Sequence, residues 1–223
     1  MDPEHTLIMA CATVIEEMLP LIPQGMQTHI LDFGLHIYPD KLRNTLQAAV
    51  DSVSSDVDTI LLGYGLCSQA VVGLSATKAT LVVPRIDDCI GIFLGSRSAY
   101  KTQSQAEPGT YYLTKGWIEV GDTPFTDYDA MVKRLGQERA DYVQKILMKN
   151  YTRLALINTG QYDMERYRAY TRQTAERFGL RYEEIEGSNA MVKKLVTGEW
   201  DDDFVVVKPE ESIRLQHFYP SNL

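Results

Sequence analysis

The sequence predicts an α/β protein with a Rossmann-like open, mostly parallel sheet, helices on both of its faces, and a smaller α/β second half. Three observations carry this. Ile60-Leu61-Leu62 and Leu81-Val82-Val83 are continuous apolar runs, as strands covered on both faces require. Each run stops abruptly at glycine, proline and polar residues. Stretches of helical periodicity separate the runs, the strand-to-helix alternation of a parallel sheet.

In chain order, His5–Ala10 is a strand ending at Cys11, and Ala12–Leu19 a helix with Glu16 and Glu17 outward that ends at Pro20 and Pro23. Thr28–Phe33 is a second strand. After Gly34–Pro39, a helix over 40–53 places Leu42, Leu46, Ala49 and Val53 on one face, with Asp40 as its cap. The third and fourth strands are the apolar runs above, joined by a short helix or loop over 68–78. Right-handed crossovers would set all four strand ends on one rim.

From Gly95 to Asp122 the texture turns polar and then aromatic, which reads as an irregular excursion covering that rim. One helix over Tyr128–Lys149, a fifth strand at Leu154–Ile157, a helix over Met164–Phe178 stopped by Gly179, a strand at Tyr182–Ile185, a helix over Asn189–Val196 and a strand at Phe204–Val207 complete the chain. The expected halves are 1–127, with covering segment 95–122, and 128–223, possible continuity between them being left open.

A net charge of -8, from 22 basic and 30 acidic side chains, with no basic stripe, argues against nucleic-acid or anionic-membrane partners. No apolar run approaches the roughly 20 residues of a membrane span, and Met1-Asp2-Pro3-Glu4-His5 lacks the basic start of a signal peptide. Cytoplasm is the expected location. Three cysteines without a CxxC pair make no disulfide framework and read as free thiols or metal ligands.

Cys11, Cys67 and Cys89 each follow a predicted strand, and His36 follows the remaining one, so all four should share the rim where open sheets bind ligands. Three thiolates and an imidazole are a zinc set. Three cysteines also suit an iron-sulfur cluster with one open iron. Against this, buried cysteine often acts as a small hydrophobe.

Arg85, Asp88 and Lys115 are candidate catalytic residues, the two cations for an anionic group and the aspartate as base or support for a ligand. Alternatively Asp87 or Asp88 caps the helix from Ile90 while Arg85 pairs with a carboxylate. Tyr64 and Gly65 of the Gly63-Tyr64-Gly65 turn, with Thr159 and Gly160 after the fifth strand, are candidate cofactor or substrate contacts. Gly63-Tyr64-Gly65 lacks the third glycine of a dinucleotide loop, and no GxSxG elbow occurs. Tyr111, Tyr112 and Trp117 read as pocket walls or as packing that pins the excursion down.

Ile8-Met9-Ala10-Cys11, His36-Ile37-Tyr38-Pro39, Leu62–Ser68, Pro84–Ile90, Phe93–Ser96, Pro108–Thr114, Gly116-Trp117 and Thr159-Gly160 together give the chain its signature. In these it resembles the bacterial and archaeal family grouped as domain of unknown function 1638. The resemblance implies a companion of corrinoid-dependent methyltransferase systems and supports Cys11, His36, Cys67 and Cys89 as the site. The expected function is metal-dependent, with zinc favoured, on a small methylated or thiol substrate of one-carbon metabolism. The alternatives are an iron-sulfur enzyme, and a non-catalytic partner or chaperone of a methyltransferase or corrinoid protein. Helix faces leave surface for a homodimer.

Overall fold

The computed structural model describes residues 1–120 and 123–219. Five strands form the first sheet in the order β2-β1-β3-β4-β8: β1 (Thr6–Cys11), β2 (Gln27–Leu31), β3 (Thr59–Gly63), β4 (Thr80–Pro84) and β8 (Phe204–Val207). The first four run parallel and β8 pairs antiparallel with β4. As the continuous apolar runs predict, β1 and β3 are buried along their whole length. β2 is an edge strand with only Leu31 buried.

The order matters for function. From β1 the chain crosses to β2 on one side and then to β3 on the other, so the crossovers part between the carboxyl ends of β1 and β3. That parting is the crevice in which open α/β sheets bind ligands.

A second, parallel sheet has the order β5-β6-β7, from β5 (Thr110–Leu113), β6 (Arg153–Asn158) and β7 (Arg181–Glu186). Its strands divide their side chains by the period of two. Ala155 and Ile157 join the core of the first sheet. Leu154 and Leu156 face the other way, onto Phe125 and onto Met164, Tyr167 and Ala175 of the helical segment beneath. Buried Arg153 ties the sheet together: Nε donates to Thr110 Oγ1 at 2.7 Å, Nη1 to Glu183 at 3.1 Å and Nη2 to Gln103 at 3.1 Å.

The helices are α1 (Ala12–Met18), α2 (Pro39–Asp51), α3 (Ile90–Phe93), α4 (Arg97–Ala106), α5 (Lys115–Glu119), α6 (Tyr128–Leu135), α7 (Gln137–Leu147), α8 (Glu165–Phe178) and α9 (Ala190–Thr197). Leu42, Leu46 and Ala49 are the buried stripe of α2, as the spacing predicts, and Gly179 ends α8 in the left-handed conformation.

Several expectations need correction. The segment 95–122 is no irregular cover: it holds α4, α5 and β5, the edge strand that opens the second sheet; its last residues, Gly121 and Asp122, lie outside the described residues. The helix expected over 128–149 is two helices, because Gly136 at φ 82° turns the chain between them. Asp40 lies in the first turn of α2 and caps nothing; the cap position belongs to Tyr38. Glu17 points inward, buried, while Glu16 remains at the surface. A boundary at 127 also divides both sheets, since β5 precedes it yet pairs with β6, and β8 follows it yet pairs with β4.

A candidate thiol centre at the sheet switch point

Cys11 is the last residue of β1 and occupies the cap position of α1. Its sulfur shares a 2.9 Å hydrogen bond with the Thr13 hydroxyl and faces the backbone N–H groups of Thr13 and Val14. Cys67 lies four residues beyond the end of β3, and Cys89 opens α3 after β4. The two loops are zipped together: Leu66 N–H donates to Ile86 O at 2.8 Å and Cys67 N–H to Asp87 O at 3.0 Å. Gly65 permits this approach, since a Cβ there would stand 2.9 Å from Ile86 O.

The three thiols therefore collect at the β1/β3 parting, and each stands within the electrostatic field of the others. Burial pushes all three thiol pKa values up, Cys67 to about 12 and Cys89 well above its usual range; Cys11 raises both, and Cys67 adds to Cys89. Opposing burial, N–H groups of Gly65 and Cys89 reach toward Cys67. Among the described residues, no three His, Cys, Asp or Glu side chains stand close enough to enclose a single ion in this conformation.

Cys67, Ser68 and Gln69 have φ values of 46°, 55° and 67°. Three consecutive left-handed residues without a glycine cost about 1–2 kcal/mol each, and such strain gathers at functional sites. Ser68 is exposed. Ser68→Gly should raise stability by about 1 kcal/mol, less the entropy that glycine adds to the unfolded chain. Urea denaturation checks this; a fall in midpoint would show that the hydroxyl, not the backbone angle, matters there.

Tyr64, between Gly63 and Gly65, is only 1% exposed, and its hydroxyl is buried without a hydrogen-bond partner. All three cysteines bear on it electrostatically. His36 stacks on its ring with centroids 5.9 Å apart, Phe33 stacks on His36, and Trp117 meets Phe33 edge-on at 5.2 Å. His36 Nδ1 is 3.1 Å from Phe33 O, and burial lowers the ring's pKa, so the imidazole is neutral. His36 thus flanks Tyr64, on the side of the aromatic row.

The other candidates have different surroundings. Asp88 caps α3, accepting Ile90 N–H at 2.9 Å, and also accepts the Tyr100 hydroxyl at 2.9 Å. Arg85 donates to Phe204 O at 3.2 Å and has no carboxylate partner among the described residues. Lys115 is paired with Glu16 and, at 3.4 Å, with Glu119, and lies over the Tyr162 ring. Thr159 donates to buried Glu17 at 2.7 Å and Gly160 N–H donates to Asn158 Oδ1; this group meets α1 six residues past Cys11, about 9 Å along the helix. Tyr111 and Tyr112 pack into the two cores.

Sequence reading missed the part of Glu17, Thr13 and the left-handed turn. Glu17 carried no apolar signal of burial, yet it accepts Thr159 and Gln161, and burial raises its pKa.

The family model described as protein of unknown function (DUF1638) matches residues 30–196, about three quarters of the chain. The chain belongs to the DUF1638 family. The DUF1638 match takes in His36, Cys67 and Cys89, β3 and β4 of the first sheet and the whole second sheet, while Cys11 and β1 precede it and β8 follows it. No curated protein and no solved structure matches the chain. No helix among the described residues is long and apolar enough to cross a membrane.

Proposed function

We propose that this DUF1638 protein is a metal-dependent protein of one-carbon chemistry in which Cys11, Cys67 and Cys89 bind a thiophilic metal, zinc first, and leave one coordination position for a small thiol or methylated substrate. The observation that carries this reading is the convergence of three thiols, those of buried Cys11 and Cys89 and of half-buried Cys67, each met by backbone N–H groups or a hydroxyl, on the rim at the sheet's switch point. Thiols held this far above their ordinary pKa are poor nucleophiles. A thiophilic cation changes that, since it displaces their protons and turns the N–H groups into donors to thiolates.

Cys11, Cys67 and Cys89 would hold the cation, and the chemistry it would supply is to lower the pKa of a bound thiol so that the thiolate could accept a methyl group from a donor that keeps the electron pair of the broken bond. A methylated corrinoid on a partner protein is a donor of the required class. His36, whose ring stacks on Tyr64, is the histidine candidate for a fourth ligand.

A second reading keeps the same thiols around an iron-sulfur cluster. Its support is the ligand set: three cysteine thiolates can hold a cluster with one iron left open, while no three His, Cys, Asp or Glu side chains among the described residues are gathered around a single-ion position.

Protein purified without oxygen or added metal, examined by elemental analysis and visible spectroscopy, tests both. One zinc per chain without colour is expected. Iron with sulfide and broad visible absorption would replace the first reading by the second; protein that neither retains nor takes up metal would overturn both.

A further inference from the structure

We propose that β2 is the seam of a homodimer: the strand pairs antiparallel with its own copy about a two-fold axis at His29 and joins two five-stranded sheets into one. The inference stands apart from the metal reading.

β2 is the outermost strand of the first sheet, and Gln27, Thr28, His29 and Ile30 are all exposed. Successive residues of a strand point to opposite faces, so neither face of β2 is covered at these positions. Parallel sheets are ordinarily covered on both. On its outer side β2 has no strand partner among the described residues.

A free edge invites pairing with another chain, and proteins blunt such edges with charge, proline, a bulge or a covering element. The other edges of the two sheets follow that rule. β7 carries Arg181, Glu183, Glu184 and Glu186, β8 is bordered by Asp201-Asp202-Asp203 and Lys208, and β5 is largely buried. β2 has none of these devices. Gln27-Thr28-His29-Ile30-Leu31 holds no Asp, Glu, Lys, Arg or Pro, and its register with β1 runs unbroken from Gln27 to Leu31.

Charge names the occupant. Two copies, each at -8, repel one another unless the surfaces that touch are neutral. From Leu19 to Pro39, histidines aside, Asp32 is the only charged side chain, in a chain where 23% of residues are charged. The same stretch leaves Leu19, Ile30, Ile37 and Tyr38 half or more exposed. A neutral, apolar edge meets its own copy without a charge clash and gives a charged partner nothing to read. A two-fold contact also closes on itself, which limits assembly to a pair. Antiparallel pairing about such an axis sets one residue opposite its own copy. Centring on His29 uses the whole strand, with Gln27 opposite Leu31 of the second copy and Thr28 opposite its Ile30, a β-branched pair.

Sedimentation of the full chain tests this, with His29→Asp and His29→Lys beside wild type. Wild type is expected at twice the 25.2 kDa chain mass. Each variant faces its own charge across the axis and should associate about 10-fold or more weakly. An equal mixture of the two, Asp opposite Lys, should regain the pair. His29 is exposed, so both variants should keep the fold by circular dichroism. As a second measurement, His29→Cys should form a covalent dimer on mild oxidation faster than wild type with its three free cysteines. Monomeric wild type would overturn the proposal. So would charged variants that dimerise like wild type, a mixture that stays monomeric, or His29→Cys that links no faster than wild type.

Discussion

The apparent affinity for zinc should climb by about three orders of magnitude per pH unit between roughly pH 6 and 8, because each bound metal displaces three thiol protons. The steepness follows from burial. Cys11, Cys67 and Cys89 all have pKa values raised above the ordinary 9.0, so none has lost its proton in that window. His36 adds nothing above its lowered pKa, since its ring is already neutral there. Chelator competition at several pH values measures the slope, and calorimetry in buffers of different ionisation enthalpy counts the protons. A slope near one would mean that only one of the cysteines ligates.

The same shifts fix how the metal-free protein responds to pH. A thiol with a folded pKa above its unfolded value contributes stability that is complete below the unfolded pKa, near 9, and is lost as pH rises toward the folded values. The apoprotein should therefore weaken above about pH 9, and metal should remove that dependence by replacing the protons.

Gly116→Ala should destabilise the protein by about 2–3 kcal/mol and weaken metal binding as well. A Cβ at Gly116 would stand 2.5 Å from Thr13 O and 3.0 Å from Thr13 Cα. Both are backbone atoms, so no side chain can rotate out of the way, and α5 must lift from α1. Thr13 holds the Cys11 sulfur at 2.9 Å, and Trp117, next to Gly116, closes the aromatic row on Phe33. Lifting α5 thus disturbs the site from two sides. Denaturation and metal titration of the one variant check both effects; an unchanged midpoint would mean that the close α1–α5 contact contributes nothing to stability.

Much of this arrangement was legible in the sequence because it depends on local signals. β1, β3 and β4 announce themselves as unbroken apolar runs, and the cysteines stand just past their ends. β5 escaped notice because Thr110–Leu113 is short and lies beside polar α4, so nothing local separates an edge strand from a loop. Pairing was harder still: that Phe204–Val207 returns to β4 is decided by packing some 120 residues away. The break at Gly136 had a local cause in glycine, but the helical periodicity on both sides ran through it. Burial of Glu17 depends on Thr159 and Gln161 in another part of the chain, and the left-handed turn at 67–69 has no glycine or asparagine to mark it. Among the proposed site residues, strand order set the three cysteines on one rim of the first sheet. Lys115 and Thr159 instead met α1 glutamates that periodicity had placed at the surface.

The most direct test of the account is the metal content of four single variants, Cys11→Ala, Cys67→Ala, Cys89→Ala and His36→Ala, against wild type prepared in the same way. Three sulfur ligands predict that each cysteine variant loses most of its metal while His36→Ala retains it near full occupancy. Full occupancy in Cys67→Ala, with the fold intact by circular dichroism, would contradict the claim that these three thiols form one centre.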